Sequence, residues 1–220
     1  MNKPQKITLD MMRETFYTAA VCDACDAAGY LHQSPRLQIR PMTGCNTLVG
    51  RCKTTLWADM AHEDPQTYEL ELTAVDNCKP DEVIIVAGNG STRSGIWGEL
   101  LSTASRNSGC VGVIADGMVR DIQQMTKMKF PVFARGACVY DSMNRQRVIN
   151  IDVPVEIAGV RFCPNDLVIA DQDGVVVVPQ EVEDEVVHRT WEKIHDESRV
   201  RQEIEKGMKA GTAWERYGIL

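Results

Sequence analysis

The chain has 220 residues and a mass of 24.5 kDa, which fits one large domain or one domain with an appendage. Its 31 acidic residues outnumber its 24 basic residues and give a formal charge of -7, which argues against a protein that binds nucleic acid through a basic face. No apolar run is long enough to cross a bilayer, and residues 1–10 lack the apolar core of a signal peptide. We therefore expect a cytoplasmic protein without a membrane or nucleic-acid partner.

The first part of the chain predicts helices alternating with strands. Hydrophobic spacing predicts helices over residues 8–30 and 66–78. Short β-branched runs predict strands over residues 48–56 and 82–87. The second strand ends at a glycine loop that begins at Gly88.

The same alternation continues in the middle of the chain. A helix is predicted over residues 96–108, a strand over 111–115, a short helix over 119–128 and a strand over 131–134. The strand over 111–115 should end at Asp116-Gly117. Strand–loop–helix units of this kind imply right-handed crossovers and a partly parallel sheet.

The last third of the chain has a different pattern. Turn residues separate three predicted short strands, at 154–162, 166–170 and 174–178. We expect these antiparallel pieces to complete a second sheet layer. A charged helix with a thin apolar stripe follows over residues 181–206. This predicts an α/β domain over 1–180 and a helical extension over 181–220, which we expect to pack on a neighbouring subunit.

Eight cysteines are spread along the chain, and the one close pair is Cys22 and Cys25. A zinc site would need two further ligands at suitable spacing, and a redox pair would normally follow a strand, which is not predicted here. Reduced structural cysteines are the preferred interpretation.

A glycine loop over residues 88–98 is the first candidate site. Glycines let the backbone approach a ligand, and the helix that follows offers unpaired N–H groups to an anion. The loop lacks the Gly-Lys-Ser/Thr of a phosphate-binding loop and the third glycine of a dinucleotide fingerprint.

The second candidate site is Arg120-Asp121, which follows a buried strand. Ligands of open α/β sheets bind at the carboxyl ends of the strands. Asp121 could hold a hard divalent cation, and Arg120 could bind an oxyanion or a developing enolate. The alternative is an exposed ion pair on a turn, which would contribute little.

At this point the sequence resembles a known family. Residues 112–121, GVIADGMVRD, resemble the G-V-V-x-D-G-x-V-R-D signature of the 4-hydroxy-4-methyl-2-oxoglutarate aldolase family, which includes the regulator of ribonuclease activity A. Four more segments are similar to family segments at compatible spacing: 23–29 (DACDAAG), 98–101 (GELL), 131–136 (PVFARG) and 171–179 (DQDGVVVVP). The resemblance implies an α/β fold, a layered αββα-type sandwich with mixed sheets, strand–loop–helix units and a long C-terminal helix.

The resemblance also implies roles for individual residues. The family's aldolases are divalent-metal (class II) pyruvate aldolases, which implies a Mg²⁺ or Mn²⁺ cofactor held by Asp121. Arg120 falls on the arginine that contacts the pyruvate carbonyl. Glu99 falls on an acidic residue near the water shell of the metal.

The segment Gly98 to Leu101 is the implied substrate-binding helix start. Leu100 and Leu101 fall on positions whose backbone N–H groups receive the pyruvate carboxylate. Local physics agrees, because N–H groups in the first turn of a helix have no intrahelical acceptor and a negative charge such as Glu99 is favoured there.

The family further supplies a glutamate from the C-terminal helix of a neighbouring subunit. Glu197 is the best match, because residues 197–207 resemble the family's E-x-x-x-R-x-x-[IL]-x-x-G run. Glu192 and Asp196 remain alternatives, and so does a merely solvated helix face at Glu197. The resemblance therefore implies a homo-oligomer, a trimer or hexamer, with shared active sites.

The implied reaction is cleavage of a 4-hydroxy-2-oxo acid, such as 4-hydroxy-4-methyl-2-oxoglutarate or 4-carboxy-4-hydroxy-2-oxoadipate, to pyruvate and a 2-oxo acid. The metal and Arg120 would stabilise the enolate, and Glu99 with Glu197 of the partner subunit would polarise the water that takes the 4-hydroxyl proton. Oxaloacetate decarboxylation passes through the same enolate and is the expected side reaction.

Two alternatives remain open. One is a non-catalytic regulator that inhibits a ribonuclease, although the presence of both Glu99 and Asp121 favours an enzyme. The other is a family member that uses another 2-oxo or sugar-acid substrate. Arg93 in the glycine loop could bind a second substrate carboxylate, although a solvated loop is the simpler interpretation.

Overall fold

The computed structural model describes residues 6–218, which form a mixed α/β fold. The strands within these residues are β1 (Arg40–Pro41), β2 (Leu48–Asp59), β3 (Glu82–Ala87), β4 (Gly112–Val119), β5 (Val132–Ala137), β6 (Gln146–Ile151), β7 (Val155–Ile157), β8 (Val160–Phe162), β9 (Leu167–Ala170) and β10 (Val175–Val178). The helices are α1 (Leu9–Thr15), α2 (Thr18–Ala27), α3 (Glu69–Asp76), α4 (Glu99–Asn107), α5 (Ile122–Met128), α6 (Glu183–Glu205) and α7 (Ala210–Tyr217). A 3-10 turn over Gln180–Val182 precedes α6.

The main sheet has parallel strands at its centre. Its order is β1-β5-β4-β3-β2-β9-β10, and β6 pairs with the far end of β2. Strands β2, β3, β4 and β5 run parallel, and α3, α4 and α5 connect them in turn. The carboxyl ends of these four strands therefore share one edge, which is where a ligand is expected. The predicted α/β class with mixed strand directions and a long C-terminal helix is confirmed.

Alternate strand residues enter different cores, as the two-residue period of a strand requires. Ile85 belongs to a core that includes Phe162 of the hairpin β7–β8. Ile84 belongs to a core on the opposite face, which includes Trp97 and Met125 of α5. The hairpin therefore covers one face of the sheet, and the connecting helices cover the other.

The amino-terminal helices and α6 form a third core with the edge strands. Val21 of α2 and Val186 of α6 pack in one cluster with Ile169 of β9 and Val178 of β10. Each side chain in this cluster is almost fully buried. The burial of such aliphatic side chains contributes about 1.5–3 kcal/mol each, so this cluster fixes α6 on its own chain.

The predicted second sheet layer is wrong for two of its three segments. β9 pairs with β2 and β10 pairs with β9, so both strands extend the main sheet. All four residues of each strand are buried, because one face meets the hairpin core and the other meets α2 and α6. Only the segment over 154–162 forms a separate sheet, the hairpin β7–β8.

Other element boundaries also differ from the predictions. The predicted helix over 8–30 is two helices, because Phe16 and Tyr17 adopt extended backbone conformations between α1 and α2. The strand predicted to end at Asp116-Gly117 continues to Val119, where its last two residues pair with β5. β1 and β6 were not predicted.

The helical extension packs on its own chain through α6. Lys193 of α6 lies 3.1 Å from the carboxylate of Asp23 in α2. The expected contact of residues 181–220 with a neighbouring subunit stays a prediction. Across residues 6–218, no helix combines the length and the apolar character needed to pass through a bilayer.

Candidate active site

The candidate site lies where β4 ends and α4 begins. The backbone N–H of Arg120 donates to the carbonyl of Trp97 at 2.9 Å, and the N–H of Ile96 donates to the carbonyl of Met118 at 2.9 Å. The segment that leads into α4 therefore runs beside the end of β4. This pairing brings the two sequence-predicted site segments together.

Asp121 adopts an uncommon backbone conformation at this junction. Its φ of 58° and ψ of 27° are left-handed, and it is the residue that precedes α5. Its Oδ2 atom accepts a hydrogen bond from the backbone N–H of Glu99 at 3.3 Å. The junction therefore turns the carboxylate of Asp121 toward the amino end of α4.

Gly98 leaves the space that this carboxylate occupies. A Cβ atom on Gly98 would lie 2.6 Å from Oδ2 of Asp121. The φ of Gly98 is -151°, so the requirement for glycine comes from the close approach and not from backbone strain. This explains a glycine at the start of the GELL segment.

Arg120 is held by carboxylates on two sides. Its Nη2 atom lies 2.7 Å from Oδ2 of Asp141, and its Nε atom lies 3.8 Å from Oδ2 of Asp121. Asp141, in the loop between β5 and β6, also accepts a hydrogen bond from the hydroxyl of Tyr68. Burial opposes ionisation of Asp141, but hydrogen bonds from Tyr68, the Met143 N–H and Arg120 outweigh it and lower its pKa.

These residues border a cavity of about 280 Å³. Its polar lining includes Tyr68, Glu71, Arg120, Asp121, Asp141 and Ser142. Trp97, Leu72, Leu100 and Leu101 supply the apolar part. Among the cavity-lining residues in the described part of the chain, Arg120 is the one cation.

Glu71 is the most buried acid in this cavity. The residue is 5% exposed, and its Oε2 atom has no hydrogen-bond partner among residues 6–218. Burial is the main cause of a raised pKa of about 8, Asp141 adds to the shift, and Arg120 opposes it. Glu71 is therefore largely protonated at neutral pH.

Glu71, Tyr68 and Asp141 were not among the site residues predicted from the sequence. Glu71 had a detectable signal, because it lies three and four residues before the buried Ala74 and Val75 on the same face of α3. Asp141 and Tyr68 had no detectable signal in the sequence. Asp141 is placed by a loop and Tyr68 by a helix start, and each is distant in sequence from Arg120.

Glu99 does not line the main cavity. Its Oε1 atom accepts a hydrogen bond from Thr103 at 2.9 Å. Its side chain borders a separate shallow depression with Gln124, Lys127 and Met128. Its N–H, by contrast, contacts Asp121.

Glu197 lies on α6 and does not line the cavity of its own chain. It accepts a hydrogen bond from the Tyr17 hydroxyl, and its Oε1 atom lies 3.0 Å from Nζ of Lys193. Burial opposes its ionisation, but the hydrogen bonds from Tyr17 and Lys193 outweigh it and lower the pKa of Glu197.

The glycine loop after β3 packs closely against Arg135 of the same chain. A Cβ atom on Gly90 would lie 1.9 Å from Nη1 of Arg135, and the same Nη1 atom lies 3.4 Å from Oδ1 of the buried Asp116. Arg93, the candidate for a second substrate carboxylate, lies 4.0 Å from Asp59 and does not line the main cavity.

Cys22 and Cys25 are free thiols on α2. Burial is the main cause of a raised pKa of about 12 for Cys25, so this thiol is protonated and a poor nucleophile. Over residues 6–218, no cluster of three or more His, Cys, Asp or Glu side chains is arranged to hold a metal ion.

Comparison with known proteins places this site in a family context. A 28% identical relative, "Protein DlpA" of Legionella pneumophila, aligns over 91% of this chain, but the chain spans only 32% of its length. A 30% identical relative from Halalkalibacterium halodurans, named "Putative 4-hydroxy-4-methyl-2-oxoglutarate aldolase", aligns over 85% of this chain and 84% of its own length.

A solved structure of Streptomyces coelicolor RraAS2, described as an unusual member of the RNase ES inhibitor RraA protein family, superposes with a TM-score of 0.77. The two chains are 25% identical, and the superposition covers 91% of this chain and 98% of the S. coelicolor chain. The model of the RraA-like family, described as Aldolase/RraA, matches residues 18–177. Because that match covers well over half of its residues, the chain belongs to the RraA-like family.

Proposed function

We propose that this protein is a divalent-metal-dependent aldolase that cleaves a 4-hydroxy-2-oxo acid between C3 and C4 and releases pyruvate. One observation carries the proposal: Arg120, Asp121 and the first turn of α4 meet at one cavity. Membership of the RraA-like family and the name of the 30% identical relative support it.

The amino end of α4 would bind the substrate carboxylate. Leu100 and Leu101 lie in the first turn, where the backbone N–H groups have no acceptor within the helix. The partial positive charge at a helix amino end favours an anion there. These two N–H groups would therefore orient the carboxylate next to Arg120.

Asp121 is suited to hold a Mg²⁺ or Mn²⁺ ion. Its carboxylate borders the cavity and is about half exposed, so water and substrate can complete the coordination of an ion. Mg²⁺ commonly uses one or two carboxylates and keeps several waters, which suits a single aspartate. The bound ion would supply Lewis-acid stabilisation of the negative charge that develops on the 2-oxo oxygen.

Arg120 would stabilise the same negative charge from the protein side. Its guanidinium is fixed by Asp141 and Asp121 before substrate arrives, so little reorganisation is required during the reaction. As the C3–C4 bond breaks, its electron pair forms the C2–C3 double bond of the enolate. C3 then takes up a proton to give pyruvate, and the remaining fragment leaves as a carbonyl compound.

The proton of the 4-hydroxyl group must move to a base. We propose that Glu99 and Glu197 of the partner subunit assist this transfer in a homo-oligomer with shared sites. Glu99 would have to leave its hydrogen bond with Thr103 to do so. Loss of CO₂ from oxaloacetate gives the same enolate and would be a side reaction.

The direct test is metal-dependent pyruvate release from 4-hydroxy-4-methyl-2-oxoglutarate and from oxaloacetate. We expect activity with Mg²⁺ or Mn²⁺, its loss with EDTA, and a decrease of about 10²-fold or more in R120A and D121N. The exposed residues Arg36 and Asp26 supply the matched controls R36A and D26N. Full turnover in R120A, or after complete chelation, would refute the mechanism.

A second candidate function is inhibition of a ribonuclease, because the S. coelicolor neighbour is described as a member of an RNase ES inhibitor family. The same preparation, assayed for ribonuclease inhibition and for pyruvate release, separates the two. Inhibition that is unchanged in D121N, together with no pyruvate release, would favour the regulator.

A further inference from the structure

The cavity has a wall of acidic and hydroxyl groups that take no direct part in bond cleavage or proton transfer in the proposed reaction. We define this polar wall as Tyr68, Glu71, Asp141 and Ser142, all of which line the cavity that contains Arg120 and Asp121. We infer, on the basis of the proposed function, that the polar wall selects 4-hydroxy-2-oxo acids with an uncharged, hydroxylated tail beyond C4 over those with a second carboxylate.

Glu71 has a buried oxygen without a partner in the described part of the chain. This atom is Oε2, and the residue is 5% exposed. A buried polar atom without a partner is costly, and few occur in folded proteins. Because Glu71 lines the cavity, a ligand group can supply the missing hydrogen bond.

The polar wall carries negative charge. Asp141 is paired with Arg120, and hydrogen bonds from Tyr68 and Met143 also favour its ionised form. Arg120 is already shared between Asp141 and Asp121. A second substrate carboxylate would therefore meet one ionised aspartate and no uncommitted cation among the described residues that line the cavity.

Hydroxyl and carboxylate groups differ in the hydrogen bonds that they can form with Glu71. A hydroxyl group both donates and accepts, so it can satisfy Glu71 in either protonation state. A carboxylate accepts only, so it could use Glu71 only in the protonated form, and it would then lie in the field of Asp141. The raised pKa of Glu71 agrees with a wall that does not tolerate additional negative charge.

Arg93 does not supply a cation for a second substrate carboxylate in this cavity. It was the one cation that the sequence suggested for a second carboxylate, and it lies 4.0 Å from Asp59, outside the cavity lining. The closely packed Gly90–Arg135 contact likewise directs Arg135 toward Asp116. The tail of the substrate therefore faces acids and hydroxyls.

The test uses ligands that bind but cannot react. The 2-hydroxy analogues of two substrates, 3-deoxyhexonate and 2,4-dihydroxyglutarate, lack the 2-oxo group that accepts electrons in the cleavage. Titration calorimetry with Mn²⁺ present should give a dissociation constant at least about tenfold lower for 3-deoxyhexonate, the ratio expected from one well-made hydrogen bond and relief of repulsion.

Variants of Glu71 make the test specific. E71Q keeps a donor and an acceptor and should retain the preference within about threefold, whereas E71M should reduce the ratio about tenfold. E69Q, at an exposed position of the same helix, is the matched control and should leave the ratio unchanged. If E71M does not fold, S142A removes another hydroxyl of the polar wall and should also reduce the ratio.

Equal or tighter binding of 2,4-dihydroxyglutarate by the wild type would overturn the inference, as would an unchanged ratio in the folded E71M or, failing that, in S142A. Pyruvate release from the corresponding 2-oxo acids is measured in parallel. A hydroxyl preference in binding without any turnover would refute the proposed function and leave the inference standing. Turnover together with a preference for the diacid would refute the inference and leave the proposed function standing.

Discussion

Nη2 of Arg120 lies 2.7 Å from Oδ2 of Asp141, although the two residues belong to different loops of the sheet edge. Tyr68, just before α3, donates to the other oxygen of Asp141. The guanidinium that is proposed to stabilise the enolate is therefore oriented by a chain of two hydrogen bonds. Two connections between parallel strands, β2–β3 and β4–β5, and the loop between β5 and β6 must be in place for these hydrogen bonds to form.

The first prediction tests this orientation. D141N should reduce kcat/KM for oxaloacetate decarboxylation by about 10²-fold, because a misplaced Arg120 no longer meets the developing charge. Y68F removes one hydrogen bond that supports this orientation and should lower kcat/KM about tenfold. Steady-state assays with R120A as the reference measure both effects, and D26N serves as the control. The free energy of unfolding should fall by only about 1 kcal/mol in D141N, because the ion pair is partly exposed. A D141N variant with wild-type kcat/KM would show that Arg120 needs no such support.

The second prediction concerns Gly98. A Cβ atom there would lie 2.6 Å from Oδ2 of Asp121, so G98A should displace the carboxylate that is proposed to hold the metal. We expect Mn²⁺ affinity to fall by about tenfold or more, as measured by calorimetry. G174A is the control, because a Cβ atom on Gly174 would have no neighbour within 4 Å among the residues that the structure describes. Unchanged Mn²⁺ affinity in G98A would place the metal away from Asp121.

The end of β3 at Ala87 and the existence of β4 were predictable because their signals are local, whereas the continuation of β4 to Val119 was not predicted. Buried β-branched runs mark β3 and β4, and the glycine and charged residues that follow mark the sheet edge. The pairing of Arg120 with Asp141 was not predictable from the sequence pattern. It depends on how the loop between β5 and β6 returns to the end of β4, which no periodicity encodes.

The prediction that β9 and β10 belong to a second sheet layer was wrong for a similar reason. Their sequences correctly indicate buried strands, but a buried strand can join either of two sheets. The choice depends on β2, which is twelve residues long and pairs with β9 at one end and β6 at the other. A long central strand with two antiparallel partners on the same side was not detectable from local pattern.

The third prediction is a pH dependence of stability. The pKa of Glu71 is about 8 in the folded protein and near 4.5 ordinarily, so folding takes up a proton between these values. The free energy of unfolding should therefore decrease as pH rises from about 4.5 to about 8 and then level off. E71Q removes this pH-dependent contribution of Glu71, so its stability relative to the wild type should increase by an amount on the order of 3 kcal/mol between pH 5.5 and pH 8.5. Urea unfolding of chelated protein at the two pH values measures this difference, with the exposed E69Q as control. A constant difference between E71Q and wild type would mean that Glu71 titrates normally.

The fourth prediction concerns Glu197, which is bound to Tyr17 and Lys193 of its own chain. If each active site combines Arg120 of one subunit with Glu197 of the partner subunit, R120A and E197A should each be inactive alone and active when mixed. Random assembly gives a competent site only where an R120A chain presents its intact Glu197 to an E197A chain, so about a quarter of wild-type activity should return. Co-refolding of equal amounts, followed by assay of oxaloacetate decarboxylation, measures this recovery.

A mixture of R120A with D121N is the control, because both changes lie in the same segment and would leave no competent combination. Failure of the R120A and E197A mixture to recover activity, with each variant shown to assemble, would place Glu197 in the structural contact between α6 and α2 and outside the catalytic site.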